Sequence, residues 1–432
     1  MDAVSKIHEF EKFGSILGLE RMSSLMHELG DPQDDLRCIH VAGTNGKGSV
    51  CKYIYEVLQA QGYRVGLYTS PFLEVFNERI ELDHQFISDE DLELYTDRVL
   101  EKVKVLTDRG EDSPTEFEVI TAVAFLYFKE KDADFVVLEV GLGGIGDSTN
   151  IIKDPLVSVI TSISFDHTDR LGNTLTEIAG NKAGIIKAGH PVVTSARAEE
   201  ALVVFREKAA DLGCELYETC EITPEIVNES LTGTVFDVTL GAQYFGLEIS
   251  MIGEHQIENA ICALKAIEAL QDECEIEIGI DAIYHGLKVA KQIGRFEIMS
   301  MDPLVIIDGA HNPDGARTLR EAYEKLLPGK RILMLTGILA DKDTDHVIGE
   351  FRKIASDFVA TEPDNPRKLA AEDYKKLLED AGGNAEAVAN VKDALDRAIT
   401  KAGEENFDGI ICAGSLYLIG RLRTLLREMF DR

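Results

Sequence analysis

The segment Cys38-Ile39-His40-Val41-Ala42-Gly43-Thr44-Asn45-Gly46-Lys47-Gly48-Ser49 decides the fold of this chain. Its apolar first half predicts a short buried strand, and the residues from Ser49 to about Gln61 predict a helix. A glycine-rich turn with one lysine between a strand and a helix is typical of phosphate binding, because backbone N–H groups and the helix N-terminus converge on phosphate oxygens. The turn is therefore a candidate phosphate loop, with Lys47 as its cation.

The spacing of this turn differs from the common phosphate-loop pattern G-x-x-x-x-G-K-[ST]. Gly48 stands between Lys47 and Ser49, and Val41 occupies the place of the first glycine. An ordinary strand-to-helix turn with a surface lysine is the alternative, and the turn by itself leaves it open.

Composition narrows the class of protein. The 432 residues suggest more than one domain, and 45% hydrophobic residues are ample for buried cores. A net charge of −33 with no long basic run argues against nucleic acid as a partner. The seven cysteines are scattered and form no C-x-x-C pair, which favours reduced thiols in a cytoplasmic protein. Neither a signal peptide nor a membrane-spanning stretch is predicted.

Apolar β-branched runs alternate with amphipathic helical stretches along the chain, which predicts a doubly wound α/β architecture. In the first part we expect strands at residues 37–41, 64–68, 135–140, 156–163 and 191–194, and helices at 118–129, 175–186, 199–212 and 255–270. Residues 214–252 alternate in places and suggest a small antiparallel excursion. After Arg295 the pattern starts again, with strands at 304–307, 331–335, 358–361 and 409–412 and helices at 313–327, 344–355, 371–381, 391–402 and 416–429. A domain boundary is expected near Gly294.

A second glycine-rich segment, Gly141-Leu142-Gly143-Gly144-Ile145-Gly146, matches the dinucleotide pattern G-x-G-x-x-G, and Asp166 follows at a suitable distance. A nicotinamide- or flavin-dependent oxidoreductase is thus a remote alternative. That pattern needs a helix opening at the third glycine. Here Pro155 and the next predicted strand follow too soon for a crossover helix of about a dozen residues, so we disfavour this interpretation.

Polar side chains at the ends of predicted parallel strands suggest a site for Mg²⁺, which prefers oxygen ligands. Glu139 lies at the end of one strand, Asp166 and His167 lie beyond the next, and Ser49 offers a hydroxyl from the phosphate loop. A solvated strand-end charge is the alternative for Glu139. We favour a metal because burying that carboxylate without a partner is costly.

The second half repeats the theme in Ile307-Asp308-Gly309-Ala310-His311-Asn312-Pro313. A buried strand ends in an acid, and a turn carrying His and Asn leads into a helix. Asn at the cap and Pro at the first helical position explain part of this segment structurally. Function and capping remain equally good explanations at this point.

Taken together, these motifs resemble the family of folylpolyglutamate synthase and dihydrofolate synthase, within the Mur-type ATP-dependent amide ligases. The resemblance runs from about Gly18 to Leu418. Its motifs include the phosphate loop, which in the family has the Gly-Lys-Gly-Ser spacing, and further matching segments: Gly18-Leu19-Glu20-Arg21-Met22, Tyr68-Thr69-Ser70-Pro71, Phe76-Asn77-Glu78-Arg79-Ile80, Glu139 to Gly144, Asp166-His167, Asn181 to Lys187, His255 to Ala260, Gly294 to Glu297, Asp308 to Asn312 and Gly414-Ser415-Leu416-Tyr417.

The resemblance implies an N-terminal P-loop NTPase-like parallel-sheet domain (residues 1–294) and a smaller C-terminal Rossmann-like α/β domain (residues 295–432), with the active site between them. It implies that ATP phosphorylates the γ-carboxylate of a reduced folate and that the amine of L-glutamate attacks the acyl phosphate. The implied cofactors are ATP and two Mg²⁺ ions. A cytoplasmic monomer without nucleic-acid or membrane partners is expected.

The resemblance also implies roles for individual residues. ATP would contact the loop and the junction of the two domains through Thr44, Asn45, Gly46, Lys47, Gly48, Ser49, Asn259, Arg295 and Asp308. The metal ions would be held by Ser49, Ser70, Glu139, His167 and Lys182, the last of these as a carbamylated lysine. His311 and Ser415 would lie near the incoming glutamate. The residues expected to act in catalysis are Lys47, Lys182, His167, Asp308 and His311.

The chain departs from the family pattern at three places. Ile145-Gly146-Asp147 stands where many members have Arg-Leu-Asp, and Phe72 follows Ser70-Pro71 where many have His. Asn181 stands where an acid often precedes the special lysine of the family. These positions flank the folate or pteroate site rather than the phosphate loop. They favour folylpolyglutamate synthase, with dihydrofolate synthase or a bifunctional enzyme as the alternative.

Overall fold

The computed structural model describes residues 2–14 and 16–430. By contacts the chain divides into two compact units. The first comprises Met1–Ile226, Phe236–Ile249 and Glu258–Lys291, and the second comprises Val227–Val235, Ser250–Ile257 and Gln292–Arg432.

The first unit is built on an eight-stranded sheet in the order β4-β3-β2-β5-β1-β6-β7-β8. Neighbouring strands pair in parallel along β2, β5, β1, β6, β7 and β8, and the strands β3 and β4 at one edge add antiparallel pairs. The strand bounds are β1 (Cys38–Ala42), β2 (Val65–Tyr68), β3 (Ile80–Leu82), β4 (Gln85–Phe86), β5 (Phe135–Glu139), β6 (Val157–Ile160), β7 (Val192–Thr194) and β8 (Leu216–Glu218).

Helices in this part of the chain are α1 (Ala3–His8), α2 (Glu20–Glu28), α3 (Lys47–Gln61), α4 (Asp89–Asp108), α5 (Glu116–Glu130), α6 (Thr168–Leu171), α7 (Leu175–Lys182), α8 (Glu199–Leu212), α9 (Glu254–Asp272) and α10 (Ile280–Val289). Short 3₁₀ helices cover Glu11–Phe13, Pro32–Asp35, Phe76–Arg79, Ser148–Ile151 and Ala183–Ile185. The central strands are wholly buried, as expected for parallel strands covered on both faces.

Residues 225–249 form a three-stranded sheet in the order β11-β10-β9, from β9 (Glu225–Ser230), β10 (Gly233–Thr239) and β11 (Gln243–Ile249). The connections are too short for a parallel crossover, so neighbouring strands run antiparallel. This matches the antiparallel excursion predicted for residues 214–252, except that β8 extends the large parallel sheet instead.

The second unit contains a six-stranded sheet in the order β12-β13-β17-β14-β15-β16. Its strands are parallel apart from the edge strand β12. The bounds are β12 (Glu297–Met301), β13 (Leu304–Ile307), β14 (Ile332–Thr336), β15 (Ala355–Ala360), β16 (Asn384–Ala387) and β17 (Gly409–Ala413); the helices are α11 (Pro313–Leu326), α12 (Thr344–Ile354), α13 (Ala371–Asp380), α14 (Val391–Glu404) and α15 (Leu416–Phe430).

The predicted fold class, a parallel-sheet α/β domain followed by a smaller α/β domain, is confirmed. Most predicted elements appear within a few residues of their expected ends. Two differences stand out: β6 ends at Ile160 rather than at residue 163, and the helix expected at 175–186 ends at Lys182 and continues as a 3₁₀ turn. Within residues 2–14 and 16–430, no helix combines the length and apolar character that a bilayer crossing requires.

Helix α3, which begins at the phosphate loop, packs closely against α10 at Gly286. A Cβ atom added at Gly286 would lie 2.5 Å from the backbone N and Cα of Val57 in α3. Only the missing side chain permits this approach, so α10 supports the helix that carries the phosphate loop.

We predict that Gly286→Ala lowers the free energy of unfolding of the first unit by about 1–3 kcal/mol, because backbone must move to admit the methyl group. Differential scanning calorimetry would show a lower Tm. Gly349→Ala is the matched control: Gly349 is also helical, but nothing lies within 4 Å of its added Cβ. That change is neutral or stabilises by about 0.4–1 kcal/mol. Equal Tm values for the two variants would contradict the packing argument.

Candidate active site

The phosphate loop connects β1 to α3 through residues 43–46, which include two glycines with positive φ. Gly43 has φ 146° and Gly46 has φ 86°, both in the region that favours glycine. The space beside them is also filled. A Cβ at Gly43 would lie 1.8 Å from Thr161 Oγ1, and one at Gly46 would lie 2.4 Å from Asn259 Oδ1. The glycines thus serve both the turn and the close approach of neighbouring groups.

The segment that follows β6 holds this loop in place. Thr161 Oγ1 donates to Asn45 O at 2.7 Å, Thr44 N donates to Ser162 O at 2.8 Å, and Ser164 N donates to Thr44 Oγ1 at 3.2 Å. Since β6 pairs directly with β1, its carboxyl end lies beside the loop. Sequence reasoning missed these residues; the polar run Thr161-Ser162-Ile163-Ser164 after an apolar strand was the available signal.

The Lys47 side chain lies over the phosphate loop. Its Nζ donates to Gly43 O at 3.2 Å and to Thr44 O at 3.1 Å. Ser49, two residues on, is buried in the first turn of α3. The loop therefore combines a cation, a hydroxyl and the amino end of a long helix, which is the chemistry that a polyphosphate requires.

Lys182, at the end of α7, contacts one of the two carbonyl groups that Lys47 contacts, that of Gly43. Its Nζ donates to Gly43 O at 2.8 Å, and the residue is only 4% exposed. Burial, with the nearby positive charge of Lys47, lowers the pKa of Lys182 to about 7, although the carboxylates of Asp166 and Asp147 oppose that shift. A large fraction of this amine is therefore neutral near pH 7.

The second glycine-rich segment has a packing role next to Lys182. A Cβ at Gly144 would lie 2.7 Å from Asn181 O and 3.0 Å from the Cα of Lys182, and Ile145 N donates to Asn181 O at 3.0 Å. After Gly146 the chain forms only a 3₁₀ turn before β6. Gly143 and Gly144 therefore admit the end of α7, and the segment does not open a dinucleotide-binding helix. Residues 141–144 are called the 141–144 turn below.

Glu139 ends β5, the strand that neighbours β1 on its other side. Its partner in the sheet register is Val41, two residues before the phosphate loop. The carboxylate is 6% exposed, and its Oε2 accepts a hydrogen bond from Ser70 N at 3.2 Å. Ser70 follows β2, which pairs with β5. The sheet order thus brings together two of the predicted metal ligands, Glu139 and Ser70.

Asp166 and His167 lie beyond the end of β6, at the start of the short helix α6. His167 N donates to Asp166 Oδ1 at 2.9 Å, and the ring Nε2 lies 3.9 Å from the same oxygen. His167 adopts φ 49°, a left-handed conformation, and its side chain is 46% exposed. The ring therefore remains accessible at the loop that follows β6.

In the second unit, the carboxylate of Asp308 organises the loop after β13. It accepts hydrogen bonds from Phe296 N at 2.7 Å and from Ala310 N at 2.8 Å. Burial raises the pKa of Asp308, and the nearby Arg295 counteracts this. Arg295 Nη1 lies 3.0 Å from the position of a Cβ at Gly309. The structure thus gathers the predicted residues Arg295 and Asp308.

The rest of this loop has both capping and reactive groups. Asn312 accepts from Gly315 N at 2.7 Å and Pro313 opens α11, so the capping interpretation of these two residues is confirmed. His311 Nδ1 lies 2.7 Å from Gly309 O. Ser415, at the start of α15, is 2% exposed, and its Oγ has no hydrogen-bond partner among the described residues.

Family models match both parts of the chain. The Mur ligase middle domain matches residues 41–267, and the Mur ligase glutamate ligase domain matches residues 294–416. The class of protein is therefore that of the Mur-type ATP-dependent amide ligases.

Individual relatives are similar over the full length. The dihydrofolate synthase/folylpolyglutamate synthase of Bacillus subtilis is 40% identical and covers 99% of each chain. The crystal structure of folylpolyglutamate synthase from Thermotoga maritima is 35% identical with a TM-score of 0.86, covering 100% of this chain and 97% of that one. The Mycobacterium tuberculosis folylpolyglutamate synthase, solved with ADP and AMPPCP, is 30% identical with a TM-score of 0.90. The match covers 98% of this chain and 99% of that one. This chain belongs to the folylpolyglutamate synthase and dihydrofolate synthase family.

The lowered pKa of Lys182 makes stability depend on pH. Between about pH 7 and the ordinary lysine pKa of 10.5, the unfolded chain binds a proton that the folded protein does not. Stability therefore rises with pH in this window, by up to about 1.4 kcal/mol per pH unit, and the gain is absent below it.

We predict that this rise is missing in Lys182→Met, which has no titrating amine. Urea unfolding of both proteins across the window, in buffer depleted of CO₂, measures the difference. A stability difference between the two proteins that does not change with pH would refute the shifted pKa.

Proposed function

We propose that this protein adds L-glutamate to the γ-carboxylate of a reduced folate, using ATP and an acyl phosphate intermediate. The observation that carries the proposal is the convergence of Lys47 and Lys182 on Gly43 O at the phosphate loop, beside the buried carboxylate of Glu139. The names of the full-length relatives supply the substrate class.

The first step makes an unreactive carboxylate electrophilic. An oxygen of the folate carboxylate attacks the γ-phosphorus of ATP, the bond to the β–γ bridging oxygen breaks, and ADP leaves. The loop amides and Lys47 would hold the β- and γ-phosphates in line. Lys47 would exchange its two backbone carbonyl partners for phosphate oxygens. Such positioning and charge neutralisation account for most catalysis in phosphoryl transfer. Asn259, which lies against Gly46, and Arg295 with Asp308 are the proposed further ATP contacts.

The second step forms the amide bond. The amine of glutamate attacks the acyl carbon and phosphate leaves. Because Gly309 O can only accept a hydrogen bond, His311 Nδ1 carries the proton in their 2.7 Å contact, and Nε2 keeps its lone pair when the ring is neutral. We assign His311 Nε2 as the acceptor of the amine proton. Ser415, whose buried hydroxyl has no partner among the described residues, would bind the incoming glutamate.

The donor set of the first unit fits Mg²⁺. A buried carboxylate, Glu139, and the hydroxyls of Ser49 and Ser70 are hard oxygen ligands. His167 would complete the metal shells of two ions with a carbamylated Lys182. Bound Mg²⁺ would neutralise charge on the phosphate oxygens during transfer. The division into residues 1–294 and 295–432, the monomeric state and the cytoplasmic location stay predictions.

An ADP-release assay tests the proposed function. We expect turnover that requires both glutamate and tetrahydrofolate, and little turnover with dihydropteroate. Equal rates with dihydropteroate would favour the bifunctional alternative, since the Bacillus subtilis relative is named for both activities. Turnover that does not depend on either folate or glutamate would overturn the ligase proposal.

In the same assay we expect Lys47→Ala to lower kcat by at least about 10²-fold, because a charged group on the transferred phosphate is lost. Lys52→Ala is the matched control. Lys52 lies on the same helix, but its Nζ pairs with Glu81 at 2.6 Å rather than with the loop. Similar rates for both variants would refute the role of Lys47.

Carbamylation of Lys182 has a spectroscopic test. With ¹³C-bicarbonate, we expect a carbamate carbonyl signal in the wild-type protein that Lys182→Ala abolishes. Added short carboxylates should partly restore the activity of that variant. Lys187→Ala is the control, since Lys187 is a neighbouring half-buried lysine whose pKa burial also lowers. A signal that disappears with Lys187→Ala and survives Lys182→Ala would place the modification elsewhere.

A further inference from the structure

A chain of hydrogen bonds runs from the strand before the phosphate loop to the 141–144 turn. It begins at His40 in β1, which is 0% exposed. His40 Nε2 lies 2.8 Å from Thr149 Oγ1, and Thr149 Oγ1 lies 2.6 Å from Asp147 Oδ1. Neither His40 nor Thr149 has a part in the proposed chemistry.

The direction of these bonds follows from what each group can donate. The Asp147 carboxylate also accepts from the backbone N–H groups of Thr149 at 3.0 Å and Leu142 at 2.8 Å, so it acts as an acceptor throughout. The Thr149 hydroxyl therefore donates its proton to Asp147 and accepts from His40. It follows that His40 carries its proton on Nε2. Consistently, Nδ1 has no hydrogen-bond partner within residues 2–14 and 16–430, and burial lowers the pKa of His40 to about 3.

The series of hydrogen bonds that starts at His40 ends, at Asp147, next to two groups of the proposed metal site. Asp147 Oδ2 accepts a hydrogen bond from Leu142 N, and Leu142 lies three residues after Glu139. The same turn contains Gly144, which contacts the backbone of Lys182. A shift of the turn would thus move Glu139 and Lys182 relative to each other.

A buried polar side chain with an unpaired ring nitrogen is unfavourable for folding. The other residues of β1 are Cys38, Ile39, Val41 and Ala42, all apolar, as a central parallel strand favours. An apolar residue in place of His40 would avoid this cost. What the histidine provides is a directed donor that fixes the Thr149 hydroxyl and, through it, the Asp147 carboxylate.

We propose that His40 is a positioning residue, which acts through Thr149 and Asp147 to set the 141–144 turn and so the spacing of Glu139 and Lys182. The inference rests on the proposed function for the identity of the metal-binding groups. Partners of this kind, one step removed from metal ligands, typically affect metal affinity 10–100-fold.

Binding of Mn²⁺, measured by electron paramagnetic resonance in the presence of AMPPCP, tests the proposal without turnover. We expect Thr149→Val, which keeps the shape but loses the hydroxyl, and His40→Leu to weaken Mn²⁺ binding by about 10-fold or more. Thr149→Ser and His40→Gln, which restore the hydroxyl and a donor near Nε2, should recover most of the affinity. In steady-state assays the Mg²⁺ activation constant should rise while KM for glutamate stays unchanged.

Thr194→Val is the matched control. Thr194 lies in β7 of the same sheet, and its hydroxyl is also buried. This hydroxyl donates to Ile160 O at 2.8 Å and has no link to Asp147. Loss of that bond costs stability in the same way, so Mn²⁺ affinity at the wild-type level in Thr194→Val separates positioning from general destabilisation. Wild-type affinity in Thr149→Val, or an equal loss in Thr149→Val and Thr194→Val, would overturn the proposal.

The ring state gives a second, independent readout. In ¹⁵N-histidine NMR spectra, His40 should be the neutral Nε2–H tautomer and remain so on acidification to about pH 5; an Nδ1–H tautomer would overturn the proposed direction. Failure of the proposed ligase function can be distinguished from failure of the positioning role of His40. Wild-type protein that binds Mn²⁺ but releases no ADP with folate and glutamate would refute the ligase activity and leave the Thr149→Val comparison intact.

Discussion

Two lysine amines share one carbonyl oxygen in this protein, and much of the first unit serves that arrangement. Lys182 Nζ lies 2.8 Å and Lys47 Nζ lies 3.2 Å from Gly43 O. Burial of the Lys182 amine, together with repulsion from the positive charge of Lys47, lowers the pKa of Lys182. A nucleotide phosphate or a carboxyl group on Lys182 would relieve that repulsion. The site is therefore electrostatically prepared for an anion before any ligand binds.

The parallel sheet is what brings these groups together. The order β2-β5-β1-β6 places Ser70, Glu139, the phosphate loop and the 161–164 segment at the carboxyl ends of four adjacent strands. The groups differ in kind: Ser70 offers a hydroxyl, Glu139 a carboxylate, and the phosphate loop with Lys47 offers backbone N–H groups and an amine. Sites at the carboxyl ends of strands are typical of open α/β sheets. The second unit repeats the principle with Asp308 after β13 and Ser415 after β17.

Much of the architecture was predictable because hydrophobic periodicity reports local structure directly. The bounds of α8 and β13 agree with those predicted, and the phosphate loop was recognised from its glycines and Lys47. Other features were less accessible. The predicted end of β6 was too late, because Thr161 and Ile163 favour strand, whereas Thr161 and Ser162 form hydrogen bonds with the phosphate loop. The local pattern around Lys182 does not distinguish it from an ordinary solvated helix lysine, and only the family resemblance gives it an expected role.

By itself, the sequence determined the α/β class, the phosphate loop, the acids at strand ends and, through its ordered motifs, the family. These properties depend on residues close together in the chain, where spacing has a direct structural meaning. The tertiary structure alone decided that Lys182 meets Gly43 O, that Gly144 serves the end of α7, and that His40, Thr149 and Asp147 form one chain. Those contacts join residues up to 139 positions apart. Such pairings depend on strand order, which local periodicity does not contain.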